Sequence, residues 1–165
     1  SPMMGINLGG LPKWLAKGLA ATLGTVGGWI GEPPYGPGQG PYQDDGFADN
    51  GLTHSHSRYQ AFRQLYEQYP QIKLGGATAH WIYQGITGAD AAIAGAGAIK
   101  TPLLVLQAGD DKIVDNAAQD HFCTQAKCEG DKPLRIEGAW HELLMETDDK
   151  RQPALTAMAE FFARF

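Results

Sequence analysis

The residues able to do chemistry concentrate in the last third of the chain. Asp110 and Asp111 follow an apolar run, Leu103-Leu104-Val105-Leu106, and an Ala108-Gly109 break, and Asp115 comes four residues later. Thirty residues beyond Asp111 stands His141, in Glu137-Gly138-Ala139-Trp140-His141, directly after a second short run, Pro133-Leu134-Arg135-Ile136. A carboxylate that holds one imidazole nitrogen fixes the tautomer and stabilises the imidazolium. The other nitrogen is then free to take a proton from a serine or cysteine. Acid followed by histidine is also the order of the last two members of one known nucleophile–acid–histidine relay. By residue type alone three acids compete for the role: Asp111, Asp110 and Asp115, the last also placed to cap the helix that follows it.

For an acid and a histidine so far apart to meet, each must leave a strand at the same edge of one sheet. The run Leu103 to Leu106 lacks polar alternation, which suits a strand buried on both faces of a parallel sheet. Open α/β sheets gather their ligands at the carboxyl ends of such strands. Between the two runs, Asn116 to Ala126 reads as a helix, and after them Pro153 to Phe165 reads as another, with Leu155, Met158, Ala159 and Phe162 as its stripe. Upstream, Leu11 to Leu23 reads as an amphipathic helix with proline near its start. Its expected stripe is Trp14, Leu15, Leu19 and Leu23, facing either the core or lipid. Arg58 to Tyr69, capped by Thr53 or Ser55 and ended by Pro70, presents Tyr59, Phe62, Leu65, Tyr66 and Tyr69 at helical spacing. Ala77 to Ile86 reads as a short helix carrying His80 and Trp81, and Gly88 to Gly97 as a separate helix of small residues. Glycine and proline crowd Gly24 to Gly51, which predicts irregular chain there.

Length and composition bound the reading. A chain of 165 residues with 43% hydrophobic residues is one domain's worth of core. A formal net charge of −5 and a pI near 5.4 argue against nucleic acid as a partner. No apolar run is long enough to span a bilayer, and no basic-then-apolar leader opens the chain. His54 and His56, one residue apart with no third ligand near, do not make a metal site, and no cofactor is implied. Cys123 and Cys128 would be poorly placed to bridge on one continuous helix, so both read as free thiols.

The nucleophile is the missing part. A strand–turn–helix elbow reads Gly-x-Ser-x-Gly, and none occurs here. Ser1, Ser55 and Ser57 are the only serines, and none is flanked by such glycines.

Three stretches carry a resemblance: LTHSHSRYQAFRQLYEQYPQIKLGGATAHW, TPLLVLQAGDDKIVDN and IEGAWHELLMETDDKRQPAL. They resemble the C-terminal half of the bacterial lysophospholipases of the PldB type, within the α/β-hydrolase superfamily, and more distantly the monoacylglycerol lipases. The resemblance implies the C-terminal part of an α/β-hydrolase fold, a mostly parallel sheet with a helical cap. It makes Asp111 the relay acid and His141 the relay histidine. Residues 1–8 become the exit of a sheet strand, residues 9–98 the cap, and residues 99–165 the core segment. Trp14, Leu15, Leu19, His80 and Trp81 become candidate walls of an acyl pocket. The expected activity is a serine hydrolase acting on lysophospholipids or monoacylglycerols, in the cytoplasm or at the face of the bacterial inner membrane. The nucleophile and oxyanion donors are then expected from an N-terminal half of the same protein. A sheet of two or three strands would leave long edges unpaired, so the chain is expected to be stable and active only when docked on that half. Two other readings keep the same shape: a non-catalytic binding fragment, and a dehalogenase or epoxide hydrolase with an aspartate nucleophile.

Overall fold

The computed structural model describes residues 1–31, 34–44 and 46–165. Glu32, Pro33 and Asp45, all within the segment expected to be irregular, lie outside the described residues.

The sheet is small and parallel. Strand β1, Leu106–Ala108, pairs with β2, Leu134–Ile136, with Leu106 beside Leu134 and Ala108 beside Ile136. Pairing in β1 starts at Leu106 because β2 reaches no further back, and Val105 contributes only its carbonyl, which accepts from the Leu134 N–H at 2.8 Å. Helix α4, Asn116–Ala126, connects the two strands. Successive side chains of a strand point to opposite faces, and β1 uses both. On one face Val105 packs with Phe122, Cys123 and Ala126 of α4. On the other, Leu106 and Ala108 pack with Ile136, Ala139, Leu143 and Ala154. Ala154 belongs to α5, Asp148–Phe162, so helices cover both faces as the unbroken apolar run requires.

Helix α5 begins five residues earlier than the sequence reading places it. Thr147 precedes it and Asp148 and Asp149 occupy its first turn, where negative charge meets the positive end of the helix dipole. Pro153 lies inside the helix instead of opening it.

The cysteines correct a second expectation. Cys123 and Cys128 form a disulfide, with Cα atoms 4.8 Å apart. The free-thiol reading rested on one continuous helix, but α4 stops at Ala126 and Lys127 takes the left-handed conformation at φ 54°. That turn folds Cys128 back so that its N–H donates to the Cys123 carbonyl at 3.1 Å.

Three longer helices occupy the first hundred residues. Helix α1, Lys13–Ile30, runs well into the glycine-rich segment before Gly31 ends it at φ 80°. Helix α2, His56–Gln68, is capped by Ser55, whose hydroxyl accepts from the Arg58 N–H. Helix α3, Ala79–Gly95, fuses the two segments read as separate helices. The packed faces of α1 and α3 are not their bulkiest ones. Ala16, Ala20 and Gly27 of α1 are buried, as are Ala79, Ile86 and Ala89 of α3. A Cβ at Gly24 would lie 3.5 Å from the Cα of His80, which shows how closely the backbones approach. Of the stripe expected to face either the core or lipid, Trp14, Leu19 and Leu23 are exposed, and Leu15 is half-buried. In α2, Tyr59 is buried and Phe62 and Tyr66 are half-buried, whereas Leu65 and Tyr69 face out. Among the described residues no helix is long and apolar enough to cross a membrane.

Candidate active site

Both strands end at the same edge, and their exit turns touch. The N–H of Gly109 donates to the Ile136 carbonyl at 2.9 Å, and that of Asp110 to the Ala139 carbonyl at 2.9 Å. Residue 109 must be glycine here: a Cβ would sit 2.9 Å from the Ile136 oxygen and 3.0 Å from the Glu137 Cα. Gly138 completes the second turn at φ 67°. Asn116, at the start of α4, reaches back to the carbonyl of Ala108 at 2.9 Å and of Gly109 at 3.2 Å.

These turns bring one acid to the histidine. Oδ2 of Asp111 lies 2.9 Å from Nδ1 of His141, and Oδ1 lies 3.1 Å from it. The same Oδ1 accepts the N–H groups of Ile113 at 2.8 Å and Val114 at 3.1 Å. The Asp111 side chain has no exposed area, whereas 19% of the His141 side chain is open. Burial alone would raise the Asp111 carboxyl, but the Val114 and Ile113 N–H groups and the His141 ring together hold it below its ordinary value. An anionic acid of this kind makes Nδ1 of His141 the protonated nitrogen and leaves Nε2 as the basic one. The rival acids do other work. Asp110 is exposed and bonds through its backbone, and Asp115 caps α4 by accepting from the Ala117 N–H at 2.9 Å.

Two clefts open beside the acid turn. One, of about 430 Å³, is lined by Asn7, Lys13, Asp90, Asp111, Asp115 and Asn116 among others. The other, of about 540 Å³, lies between α1, α3 and the Lys112–Val114 segment, with Met3, Leu19, Ala20, Trp81, Ile82 and Val114 on its walls. Of the five residues considered for an acyl wall, Leu19 and Trp81 reach this cleft. Trp14, Leu15 and His80 do not line it, because the small-residue seam between α1 and α3 turns them away, and 75% of Trp14 is exposed. Among the described residues no group of three His, Cys, Asp or Glu side chains could hold a metal ion.

A second acid–histidine pair adjoins the first. Glu146, fully buried, lies 2.7 Å from Nδ1 of His54, whose ring stacks at 3.9 Å on Trp140. Nothing in the sequence marks an acid as buried, and the Thr53-His54-Ser55 stretch reads simply as a helix entry.

The family described as serine aminopeptidase, S33, matches residues 1–148. The chain is 37% identical over 174 residues to lysophospholipase L2 of Escherichia coli K12, a match covering 99% of this chain and 49% of that protein. It is 31% identical over 127 residues to the probable lysophospholipase L2 of Haemophilus influenzae, covering 75% of this chain and 39% of that one. The chain thus spans about half the length of the curated relatives it matches. A soluble variant of monoglyceride lipase from Saccharomyces cerevisiae, solved with a substrate analogue, superposes with a TM-score of 0.61 at 18% identity, over 99% of this chain and 53% of its own. At that identity the likeness bears on fold alone, and the fold is that of the α/β-hydrolases.

Proposed function

The chain belongs to the serine aminopeptidase S33 family of α/β-hydrolases, and on that premise we propose that it carries the acid, the histidine and the cap of a serine hydrolase that cleaves the acyl ester of lysophospholipids or monoacylglycerols. The observation that carries the reading is the 2.9 Å contact between the buried Asp111 carboxylate and Nδ1 of His141 at the shared edge of two parallel strands. The likeness to two proteins named as lysophospholipases supports the substrate class.

In this reading Nε2 of His141 takes the proton of a serine hydroxyl as its oxygen attacks the ester carbonyl. Asp111 stabilises the imidazolium that results. Collapse of the tetrahedral intermediate breaks the ester C–O bond, and His141 returns the proton to the departing glycerol oxygen. Water, activated by the same imidazole, then releases the fatty acid. Residues 9–98 form the cap, and the cleft bearing Leu19 and Trp81 receives the acyl chain.

The serine and the oxyanion donors come from an N-terminal half of the same protein. Among the described residues no serine hydroxyl bonds the His141 ring. Ser55 caps α2, and Ser1 accepts from the Ala108 N–H at 2.9 Å. A groove of about 500 Å³ beside Ser1, walled by Leu103, Leu104, Leu106, Met158 and Phe162, offers that half an apolar seat. The test is reactivity. The 165-residue chain alone should resist a serine-directed fluorophosphonate and leave lysophospholipid intact, and mixing with the N-terminal half should restore both reactions. A chain that is esterolytic by itself would overturn the division of labour.

A further inference from the structure

We propose that Glu146 is a positioning residue for His141: its buried carboxylate gathers N–H groups from Trp140, His54 and Thr147 and so fixes the loop that carries the imidazole. The proposal rests on the relay reading of Asp111 and His141 and extends it to a residue outside the relay.

Glu146 is fully buried at the end of a short 3-10 turn, Leu143–Met145. Its Oε1 accepts the Trp140 N–H at 2.7 Å and lies 2.7 Å from Nδ1 of His54. Its Oε2 accepts the N–H groups of His54 at 3.1 Å and Thr147 at 3.0 Å. Burial by itself would push the carboxyl up, but the donors of Trp140, His54 and Thr147 outweigh it and hold the group below its ordinary value. The side chain is therefore an anion with four N–H contacts, the kind of buried charge that is tolerated only when fully satisfied.

What those contacts hold is the backbone next to His141. Trp140, directly before it, is tied by its N–H to Glu146. Ala139, one residue further back, is tied by its carbonyl to Asp110 in the acid turn. Glu142, directly after His141, donates its N–H to the Leu52 carbonyl at 2.9 Å. The segment from Leu52 to Arg58 closes the clamp. The Thr53 hydroxyl donates to the Met145 carbonyl at 2.7 Å, and the Arg58 guanidinium donates to the Glu146 carbonyl. The His54 ring covers Trp140 at a tilt of 34°. Glu146 thus links the His141 loop to His54, 92 positions before Glu146 itself, and through α2 to the helical region upstream. An imidazole displaced by about 1 Å can cost about a hundredfold in rate, so the grip on Trp140 bears on turnover and not only on stability.

The test uses the complete enzyme and two variants. Glu146→Gln keeps the shape but replaces one acceptor oxygen with an amino group that faces N–H donors. His54→Phe keeps a ring on Trp140 and removes the Nδ1 contact. In Glu146→Gln, kcat should fall about 10- to 100-fold with KM within about a factor of two, and in His54→Phe it should fall less. The low-field proton resonance of His141 Nδ1–H, assigned in the unmodified enzyme by its loss in Asp111→Asn, should shift or broaden in both. Unchanged kcat and an unchanged resonance in Glu146→Gln would overturn the proposal. Should that variant fail to fold, the same pair of results in His54→Phe would do so. If the unmodified enzyme shows no resonance that Asp111→Asn removes, it is the relay reading that falls.

Discussion

Asp111–His141 and Glu146–His54 are made of the same chemical parts, and each places a carboxylate with no exposed area against Nδ1 of a histidine. Their surroundings separate them. Asp111 stands at the end of a parallel strand, and the second nitrogen of its histidine is free of bonds to the described residues. Glu146 is ringed by backbone donors, and its histidine covers an indole at a tilt. His54 is the more open of the two rings, 34% against 19%, so exposure does not distinguish a base from a brace. The difference lies in what the acid holds. Asp111 orients a ring at a strand edge where ligands gather, whereas Glu146 orients the chain that carries that ring.

The sharpest way to break this contrast is to disable each pair in the complete enzyme. Asp111→Asn should lower kcat by about 10⁴-fold, the cost of a wrong tautomer in such a relay, measured by steady-state ester hydrolysis. If Glu146→Gln costs as much, the two pairs do not differ in kind. Stability should rank them in the opposite order. Glu146→Ala leaves the N–H groups of Trp140, His54 and Thr147 without their acceptor. At about 1–3 kcal/mol for each buried orphan it should cost about 3 kcal/mol or more. Asp111→Ala frees the N–H groups of Ile113 and Val114 and the Nδ1 contact of His141, and because Ile113 is exposed and can turn its N–H to water, the loss should be smaller. Urea midpoints decide between these outcomes.

Acid should separate the pairs further. Both carboxyls are held below their ordinary values, 3.8 for Asp111 and 4.5 for Glu146. A carboxyl whose folded pKa is depressed adds stability that is complete above the unfolded value and is lost as pH falls through the lower folded one. Stability followed by denaturation should therefore decline below about pH 4.5. Glu146→Gln should flatten the upper part of that decline, and Asp111→Asn only its lower part.

Two smaller effects serve as controls away from both pairs. Reducing the Cys123–Cys128 disulfide, or Cys128→Ser, should cost about 2 kcal/mol by the loop-closure estimate for so short a loop. It should leave the His141 resonance in place. Trp81→Ala should raise KM for a long-chain lysolipid about fivefold, near 1 kcal/mol of apolar contact, and leave a short-chain ester unaffected.

Much of the candidate site's edge was legible because its signals are local. Asp115 as a cap fixed α4 to the residue, and the short run Pro133–Ile136 supplies β2 at Leu134–Ile136. The three rival acids could be ordered by resemblance but not by residue type, since only the turn geometry decides which carboxylate meets the imidazole. In the helical region the core-facing alternative for the α1 stripe failed for a physical reason. Hydrophobicity counts large side chains as core, yet α1 and α3 approach through alanine and glycine, which leaves Trp14 and Leu19 exposed. The disulfide was hidden because Lys127 reverses the chain in a conformation its identity does not announce. The pairing of Glu146 with His54 was overlooked because the two lie 92 positions apart.

The contact at Gly109 has a mechanical consequence. Because the two turns meet backbone to backbone, with no side chain between them to compress or change rotamer, a displacement of one carries the other with it. The distance from Asp111 to His141 is then a shared coordinate of a single body. Any swing of the helices above it would reach the pair as a common translation. Hydrogen exchange should accordingly show the amides of Gly109 and Asp110 opening together with those of the turn that follows β2.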